Sequence, residues 1–295
     1  MKLLIIGSNG LLGAELVNQA RKNPILEIST SDVSDENGID ITNEESVDQK
    51  FKEVDPDFVI NCAAFTNVDA IEDTAWDIAL KVNGKGPGIL AKYCKEYKSG
   101  FLHISTDYVF GDNKQEGYEE NYSSFKPLNK YAETKLIGEE NVIKEFGGVT
   151  NSEFNIQEPK AYIVRTSWLF GQGATNFISK IIELAKTRDS LSVVTDEISS
   201  PTFVKDLSET LLYIATNKPS GGIYHVSGLG HCSRYDFAKK ILKTAGIDTP
   251  IEKTTLEQFE RKTKIANYSY LINTKLPPMR KWEDMVEDFI KNYGI

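Results

Sequence analysis

Short apolar runs alternate with longer amphipathic stretches through the first half of the chain. Five runs of four or five residues, bounded by Gly, Asp or Asn, predict strands at 2–6, 26–30, 58–62, 101–105 and 162–165. Between them apolar residues recur at helical spacing, first at Leu12, Leu16 and Ala20. Because such alternation places strands in parallel with helices on both faces, it predicts an α/β fold, a Rossmann-type doubly wound parallel sheet.

After residue 165 the alternation weakens, which predicts a second region. Helices are predicted at 178–185, 207–215, 235–245 and in the tail from Trp282, with strands at 191–194 and 223–226. The segment 147–160 has little periodicity and predicts a surface insertion. We therefore expect a Rossmann domain over 1–165. A smaller, mainly substrate-binding C-terminal region is expected over 166–295, partly interleaved with the first.

Charge and the placement of Cys and His exclude several function classes. Lys and Arg total 34 against 43 Asp and Glu, a net charge of −9 that disfavours binding to nucleic acid. The three Cys and three His residues lack the spacing of disulfide frameworks or metal sites, so no metal is expected. The apolar run 3–6 is too short for a signal sequence or a membrane span. We expect a cytoplasmic protein with no membrane partner.

The segment 7–13, GSNGLLG, follows the first predicted strand and opens the first predicted helix. Glycine there permits a tight turn and close approach of a pyrophosphate, which the helix N-terminus attracts through free N–H groups. The spacing is Gly-x-x-Gly-x-x-Gly, and its place at the first strand–helix junction predicts dinucleotide binding. The cofactor-binding residues predicted in this segment are Gly7, Asn9, Gly10, Leu11, Leu12 and Gly13.

Asp32 ends the second predicted strand, 19 residues after Gly13. An acidic residue at this place binds the adenosine ribose hydroxyls of NAD, whereas NADP needs a cation for its extra phosphate. Residues 31–48 include seven acidic side chains and no Lys or Arg. The cofactor is therefore expected to be NADH or NADPH, with NADH favoured.

Tyr131 and Lys135 are four residues apart on a predicted helix, beside Thr106 at the end of the fourth predicted strand. Residues at this spacing share one helix face, so the phenol and the ammonium can meet over a ligand. A nearby cation is expected to lower the pKa of the phenol. Lys135 can also hold ribose hydroxyls, while Thr106 hydrogen-bonds the reacting oxygen. The pattern predicts catalysis by Thr106, Tyr131 and Lys135.

At these residues the chain resembles the dTDP-4-dehydrorhamnose reductase family of extended short-chain dehydrogenase/reductases. The resemblance covers residues 1 to about 245, and several of its motifs are specific to this family. The matching stretches are GSNGLLG (7–13), VINCAAFTNVDAIE (59–72), HISTDYVFG (103–111), PLNKYAETKLIGEE (127–140), RTSWLFG (165–171), ISSPTFVKDLS (198–208) and GIYHVSG (222–228). Arg234 departs from the pattern, because aromatic or small residues are usual there.

The resemblance implies NAD(P)H-dependent reduction of the C4 keto group of a nucleotide-linked 4-keto-6-deoxysugar, with the same three catalytic residues. It also implies a homodimer formed through two long helices. To the cofactor-binding residues it adds Asp32, Asp40, Ile41, Ala63, Ala64, Thr66, Tyr131 and Lys135. The substrate contacts expected with it are Val68, Thr106, Asp107, Tyr131 and Trp168.

Two other functions stay open on the sequence. The first is another sugar-nucleotide reaction on this fold, such as epimerisation or dehydration. Dehydratases of the superfamily carry Asp-Glu after the active-site Thr, whereas Asp107 is followed here by Tyr108, which counts against dehydration. The second is a non-catalytic nucleotide-binding subunit resembling the β subunit of methionine adenosyltransferase, since fold alone does not set function.

Overall fold

The computed structural model describes residues 1–155, 158, 160–259 and 262–293. Its strands are β1 (Lys2–Ile6), β2 (Glu27–Ser31), β3 (Phe58–Asn61), β4 (Gly100–Thr106), β5 (Val149–Thr150), β6 (Glu153–Phe154), β7 (Ala161–Thr166), β8 (Leu169–Phe170), β9 (Leu191–Val194), β10 (Ile198–Ser199), β11 (Thr202–Phe203), β12 (Gly222–His225), β13 (Cys232–Ser233) and β14 (Ile251–Thr254). Its α-helices are α1 (Leu11–Ala20), α2 (Glu44–Val54), α3 (Val68–Asp73), α4 (Trp76–Ala79), α5 (Gly86–Glu96), α6 (Lys130–Glu145), α7 (Phe177–Thr187), α8 (Val204–Asn217), α9 (Arg234–Ala245) and α10 (Trp282–Tyr293). A π-helical turn spans Leu80–Lys85, and a 3₁₀ turn spans Asp107–Val109.

In the described part of the chain, eight strands form one sheet in the order β2-β1-β3-β4-β7-β12-β6-β5. From β2 to β12 the pairs are parallel, and β6 and β5 extend the sheet antiparallel. Strand order reverses at β1, where Ile6 pairs with Ser31 on one side and Asn61 on the other. The ends of β1, β2 and β3 thus open onto one crevice, where doubly wound sheets bind ligands. The predicted fold class is confirmed.

Alternating residues of β1 belong to two separate cores, because successive strand side chains point to opposite faces of a sheet. Leu3 and Ile5 pack in the larger core, which also receives buried side chains of α1, α7, α8, α9 and α10. Leu4 and Ile6 pack in the second core with α2, α5 and α6. None of the helices in the described residues is both long and apolar enough to cross a lipid bilayer.

Three local features differ from the sequence prediction. The strand β2 spans Glu27–Ser31, one residue later than the predicted 26–30, and it is half exposed at the edge of the sheet. Part of the expected insertion at 147–160 forms β5 and β6, which extend the opposite edge of the sheet; its residues 156, 157 and 159 lie outside the described residues. The helical segments between 68 and 85 were not predicted, because they are short and carry few regularly spaced apolar residues.

The C-terminal part of the chain contributes β12 to the main sheet beside β7. It also supplies smaller two-stranded pairs, β14 with β9 and β10 with β13. The strand β12 therefore follows residue 165 in the chain but lies in the main sheet, and the two expected regions with their boundary at residue 165 stay a prediction.

Candidate active site

The turn between β1 and α1 depends on two glycines. Gly7 has a φ of +77°, and its N–H donates to the Ser31 carbonyl at 2.8 Å. A Cβ atom at Gly7 would lie 2.5 Å from the backbone nitrogen of Ala63. A Cβ at Gly13 would lie 2.0 Å from the Gly7 carbonyl oxygen. Because both obstacles are backbone atoms that cannot rotate away, only glycine lets the turn and the start of α1 come this close to the strand ends.

A cavity of about 500 Å³ opens beside this turn, within the size range of small-molecule sites. We call it the glycine-loop cavity, and seven predicted cofactor-binding residues line it: Gly7, Gly10, Asp32, Asp40, Ile41, Ala63 and Ala64. The sequence analysis missed further lining residues, namely Ile6, Val33, Ile39, Thr42, Cys62, Phe65, Ile78, Lys81 and Val82. Of these, Val33 and Ile78 are 72% and 54% exposed, so they offer apolar surface that a bound ligand can contact. The turn and the cavity fit a dinucleotide.

The other predicted cofactor-binding residues of this region have different surroundings. The Asn9 side-chain amide donates to Ser34 at 2.9 Å and to Asp35 at 3.0 Å, which ties the glycine turn to the loop after β2. Leu12 is buried in the larger core and Leu11 packs partly against it. Thr66 is exposed in the loop before α3.

Asp32 lies at the mouth of the glycine-loop cavity, where hydrogen bonds hold its carboxylate. The Ser34 hydroxyl donates to it at 2.8 Å and the Ser34 N–H at 3.1 Å, while the Asn9 N–H donates at 3.3 Å. Burial alone would raise the pKa of Asp32, but these hydrogen bonds outweigh it and hold the pKa below its ordinary value. The carboxylate is therefore ionised at neutral pH and can accept further hydrogen bonds.

The loop after β3 is fixed by two asparagine side chains. Asn61 accepts a hydrogen bond from the Ala63 N–H at 3.1 Å. Asn83, on the π-helical turn, accepts from the Phe65 N–H at 2.8 Å and donates to the Phe65 carbonyl at 2.9 Å. Its amide also donates to Thr134 of α6 at 3.1 Å. One buried side chain thus links the wall of the cavity to the helix that carries Tyr131 and Lys135.

Thr106 and Tyr131 meet where β4 ends and α6 begins. Asn129 caps α6 by accepting from the Ala132 N–H at 2.8 Å, which starts the helix just before Tyr131. The Thr106 hydroxyl lies beside the phenol and acts on its pKa. Burial, together with the neighbouring Asp107 carboxylate, raises the pKa of Tyr131 to about 12, although Thr106 acts in the opposite direction. The expected lowering of this pKa by Lys135 is wrong for the protein alone, and the phenol is protonated throughout the physiological range.

Lys135 is buried one helical turn after Tyr131. Its ammonium donates to the Ile104 carbonyl at 2.7 Å, so it is anchored to β4 two residues before Thr106. Burial lowers the pKa of Lys135 to about 8, although Glu139 and Cys62 act in the opposite direction. The side chain therefore titrates close to physiological pH.

Asp107, a predicted substrate contact, is 1% exposed and accepts three hydrogen bonds. The donors are Ser269 at 2.5 Å, Ser199 at 2.8 Å and Thr106 at 3.2 Å. Burial raises the pKa of Asp107 to about 6, opposed by these hydrogen bonds and by the charge of Arg234. In this structure the carboxylate orients Thr106 and joins it to two distant segments of the C-terminal half.

Trp168 lines a second cavity, of about 510 Å³, which we call the Trp168 cavity. Trp168 adopts the left-handed φ of +41°, a strained conformation for a bulky residue. The guanidinium carbon of Arg234 lies 3.5 Å from the centre of its ring, and Glu197 pairs with Arg234 at 3.0 Å. Of the predicted sugar contacts, Trp168 lines this cavity, and Val68 is half-buried at the start of α3. The other lining residues are Leu169, Thr175, Asn176, Phe177, Lys180, Ile181, Leu184, Ser192, Val193, Val194, Glu197, Arg234 and Phe259.

Comparison with known proteins gives a consistent result. The family model described as RmlD substrate binding domain matches residues 1–295. The spore coat polysaccharide biosynthesis protein SpsK of Bacillus subtilis (strain 168) is 33% identical, across 98% of this chain and 97% of its own length.

Two solved structures are similar along the whole chain. A dTDP-4-dehydrorhamnose reductase from Clostridium acetobutylicum ATCC 824 has a TM-score of 0.90 and 37% identity, with both chains covered completely. The dTDP-4-dehydrorhamnose reductase of Bacillus anthracis str. Ames, in complex with NADP, has a TM-score of 0.85 and 34% identity, with 98% of each chain covered.

Proposed function

This chain belongs to the RmlD substrate binding domain family, and we propose that it reduces the C4 keto group of dTDP-4-dehydrorhamnose or a close relative. The resemblance found in the sequence is confirmed by the family match, and the prediction of an oxidoreductase is confirmed by the names of the relatives. The substrate stays part of the proposal. Its main support is the contact between Thr106 and Tyr131 at the end of β4.

The proposed reaction needs a proton for the carbonyl oxygen as well as a hydride. A reduced nicotinamide, when bound in the glycine-loop cavity, supplies the hydride. Tyr131 suits the part of general acid, because its pKa of about 12 keeps the phenol protonated until charge develops on the substrate oxygen. The Thr106 hydroxyl would stabilise that charge by a second hydrogen bond, which requires its proton to turn from Asp107 to the substrate oxygen. Lys135 would hold the cofactor ribose and favour the phenolate that forms when the proton leaves.

We propose NADH as a donor at least as good as NADPH. Asp32 is ionised at the cavity mouth, and an anion there favours ribose hydroxyls and repels a 2′-phosphate. Lys81 also lines this cavity and is a cation that a phosphate could reach. The proposal is contradicted if kcat/KM for NADPH exceeds that for NADH more than about tenfold, which corresponds to roughly 1.4 kcal/mol.

A panel of nucleotide-linked 4-keto-6-deoxysugars tests the function directly. Each sugar is incubated with NADH or NADPH, and loss of absorbance of the reduced cofactor is followed. We expect turnover with the dTDP-linked 4-keto sugar. Binding of the cofactor without oxidation by any keto sugar would instead support the regulatory-subunit alternative. The homodimer and the cytoplasmic location are further proposals, and light scattering of the purified protein tests the first.

A further inference from the structure

A buried polar cluster lies behind Lys135 on the same face of α6. Glu139 follows Lys135 by one helical turn, just as Lys135 follows Tyr131, so the three side chains share a face. The Glu139 carboxylate is 1% exposed and accepts from the Ser105 hydroxyl at 2.5 Å. The Arg165 guanidinium donates to the same carboxylate through Nε at 2.9 Å and Nη2 at 2.6 Å. This is a bidentate ion pair closed off from water.

Arg165 is held equally firmly on its other sides. The rings of Phe110 and Phe125 lie 5.1 Å and 4.9 Å from its guanidinium carbon, and His225 Nε2 is 3.4 Å from Nη1. Burying such a pair costs much of its Coulomb energy in lost hydration, so apolar residues of equal volume could stabilise the fold as well. The carboxylate of the pair lies one helical turn after Lys135 and its charge acts on that ammonium, which connects the pair to the proposed active site.

We propose that Glu139 is a positioning residue that keeps Lys135 in its ammonium form and holds Ser105, next to Thr106, in place. The inference rests on the proposed function, in which Lys135 holds the cofactor ribose. It extends the active-site face of α6 by one further turn, from Tyr131 through Lys135 to Glu139.

The charges around Lys135 support this role. Cys62 faces it from the end of β3 and His103 from β4, while Tyr131 and Glu139 come from its own helix. Burial raises the pKa of the Cys62 thiol to about 12, so that group is neutral at physiological pH. Burial and Lys135 lower the pKa of His103 far below its usual range, so that ring is neutral too. Among these described neighbours, Glu139 is therefore the main source of negative charge that opposes desolvation of the ammonium, and the Arg165 guanidinium shares that carboxylate.

The test compares Glu139→Gln with Glu140→Gln, an exposed neighbour on the same helix. The dissociation constant of NADH is measured by fluorescence from pH 6 to 9, with no sugar present, and kcat/KM is measured over the same range. Removing the carboxylate lowers the pKa of Lys135 further, by about one unit for a charge at this spacing. NADH binding by Glu139→Gln should match wild type at pH 6 and be roughly tenfold weaker at pH 9, because one pKa unit is a factor of ten. Glu140→Gln should follow the wild-type curve.

The proposal would be overturned if Glu139→Gln bound NADH with the same pH dependence as wild type but melted at a lower temperature. Glu139 would then act only in the packing of the core. If Glu139→Gln does not fold, Glu139→Gln/Arg165→Met removes the unpaired buried cation as well and should show the same shift. Failure of both variants to fold would also make the cluster purely structural and overturn the proposal. The proposed function is tested separately and would be contradicted if the wild-type protein turned over no sugar. NADH binding is measured without sugar, so it tests only the role of Glu139.

Discussion

The glycine-loop cavity and the Trp168 cavity have nearly the same volume, about 500 and 510 Å³, yet they are built in different ways. The first is shaped by backbone: a glycine turn and the ends of three adjacent parallel strands. The second is shaped by side chains from β8, α7, β9 and α9, with Arg234 stacked on Trp168. A site formed mainly by backbone can be predicted from a short sequence motif. A site formed mainly by side chains depends on how distant segments pack.

The substitution with the largest expected effect, Tyr131→Phe, leaves both cavities intact and removes only the proposed acid. We expect kcat to fall by about 10² to 10⁴, the usual contribution of a general acid. The dissociation constant of NADH should change little, because the ring and its packing are kept. Stopped-flow kinetics with the dTDP-linked 4-keto sugar measures both values. A variant that keeps a rate within about threefold of wild type would show that the proton comes from elsewhere.

Gly7→Ala tests the claim that the glycine-loop cavity is built by backbone, with Gly246→Ala as its control. Both glycines have a left-handed φ, +77° and +69°, but a Cβ at Gly246 meets nothing within 4 Å. Gly246→Ala should cost about 1 kcal/mol of unfolding free energy from conformation alone. Gly7→Ala should cost roughly 3 kcal/mol or more and weaken NADH binding, because the backbone at Ala63 must also move. Urea unfolding measures the difference, and equal losses would contradict the claim.

Arg234→Lys probes the Trp168 cavity, since it keeps the charge and loses the flat guanidinium over the indole. The resemblance implies that Trp168 contacts the sugar, and we propose that the stacked guanidinium holds the indole in place for that contact. A desolvated cation–π contact is worth about 1–2 kcal/mol, so KM for the sugar nucleotide should rise by up to about thirtyfold. The dissociation constant of NADH should be unchanged, because Arg234 lines the Trp168 cavity and not the glycine-loop cavity. Steady-state kinetics and fluorescence titration separate the two. The reverse pattern, weaker NADH binding with an unaltered sugar KM, would mean that the two cavities are not independent.

Asp32→Ala should have the smallest effect and bears only on the choice of cofactor. Losing one hydrogen-bonding carboxylate is worth about 0.5–1.5 kcal/mol, so the ratio of kcat/KM for NADH over NADPH should fall roughly two- to tenfold. Turnover with NADPH should not decrease. A ratio that rises after the substitution would show that Asp32 does not select against the 2′-phosphate.

Prediction from sequence was most accurate for the bounds of short, apolar strands that are buried in the structure. Residues 191–194 are the observed β9, and β1 spans the predicted 2–6, because apolar runs of four or five residues suit strands, whereas helices need about ten residues or more. Prediction was poorest between 68 and 85, where short helical segments form the wall around Ile78, Lys81 and Val82. Those segments hold their place through Asn83 and its contacts with Phe65 and Thr134, which no local pattern shows.

The sequence by itself determined the parallel sheet, the glycine turn and the placement of Tyr131 and Lys135 on one helix face, because each depends on spacing along a strand, a turn or a helix. Only the tertiary structure decided the charge states: burial raises the pKa of Tyr131 to about 12 and lowers that of Lys135 to about 8. It also decided that Arg165, from a strand 26 residues further along the chain, pairs with Glu139 behind Lys135. Desolvation and contacts between distant residues arise only when segments pack together, so no local pattern of residues contains them.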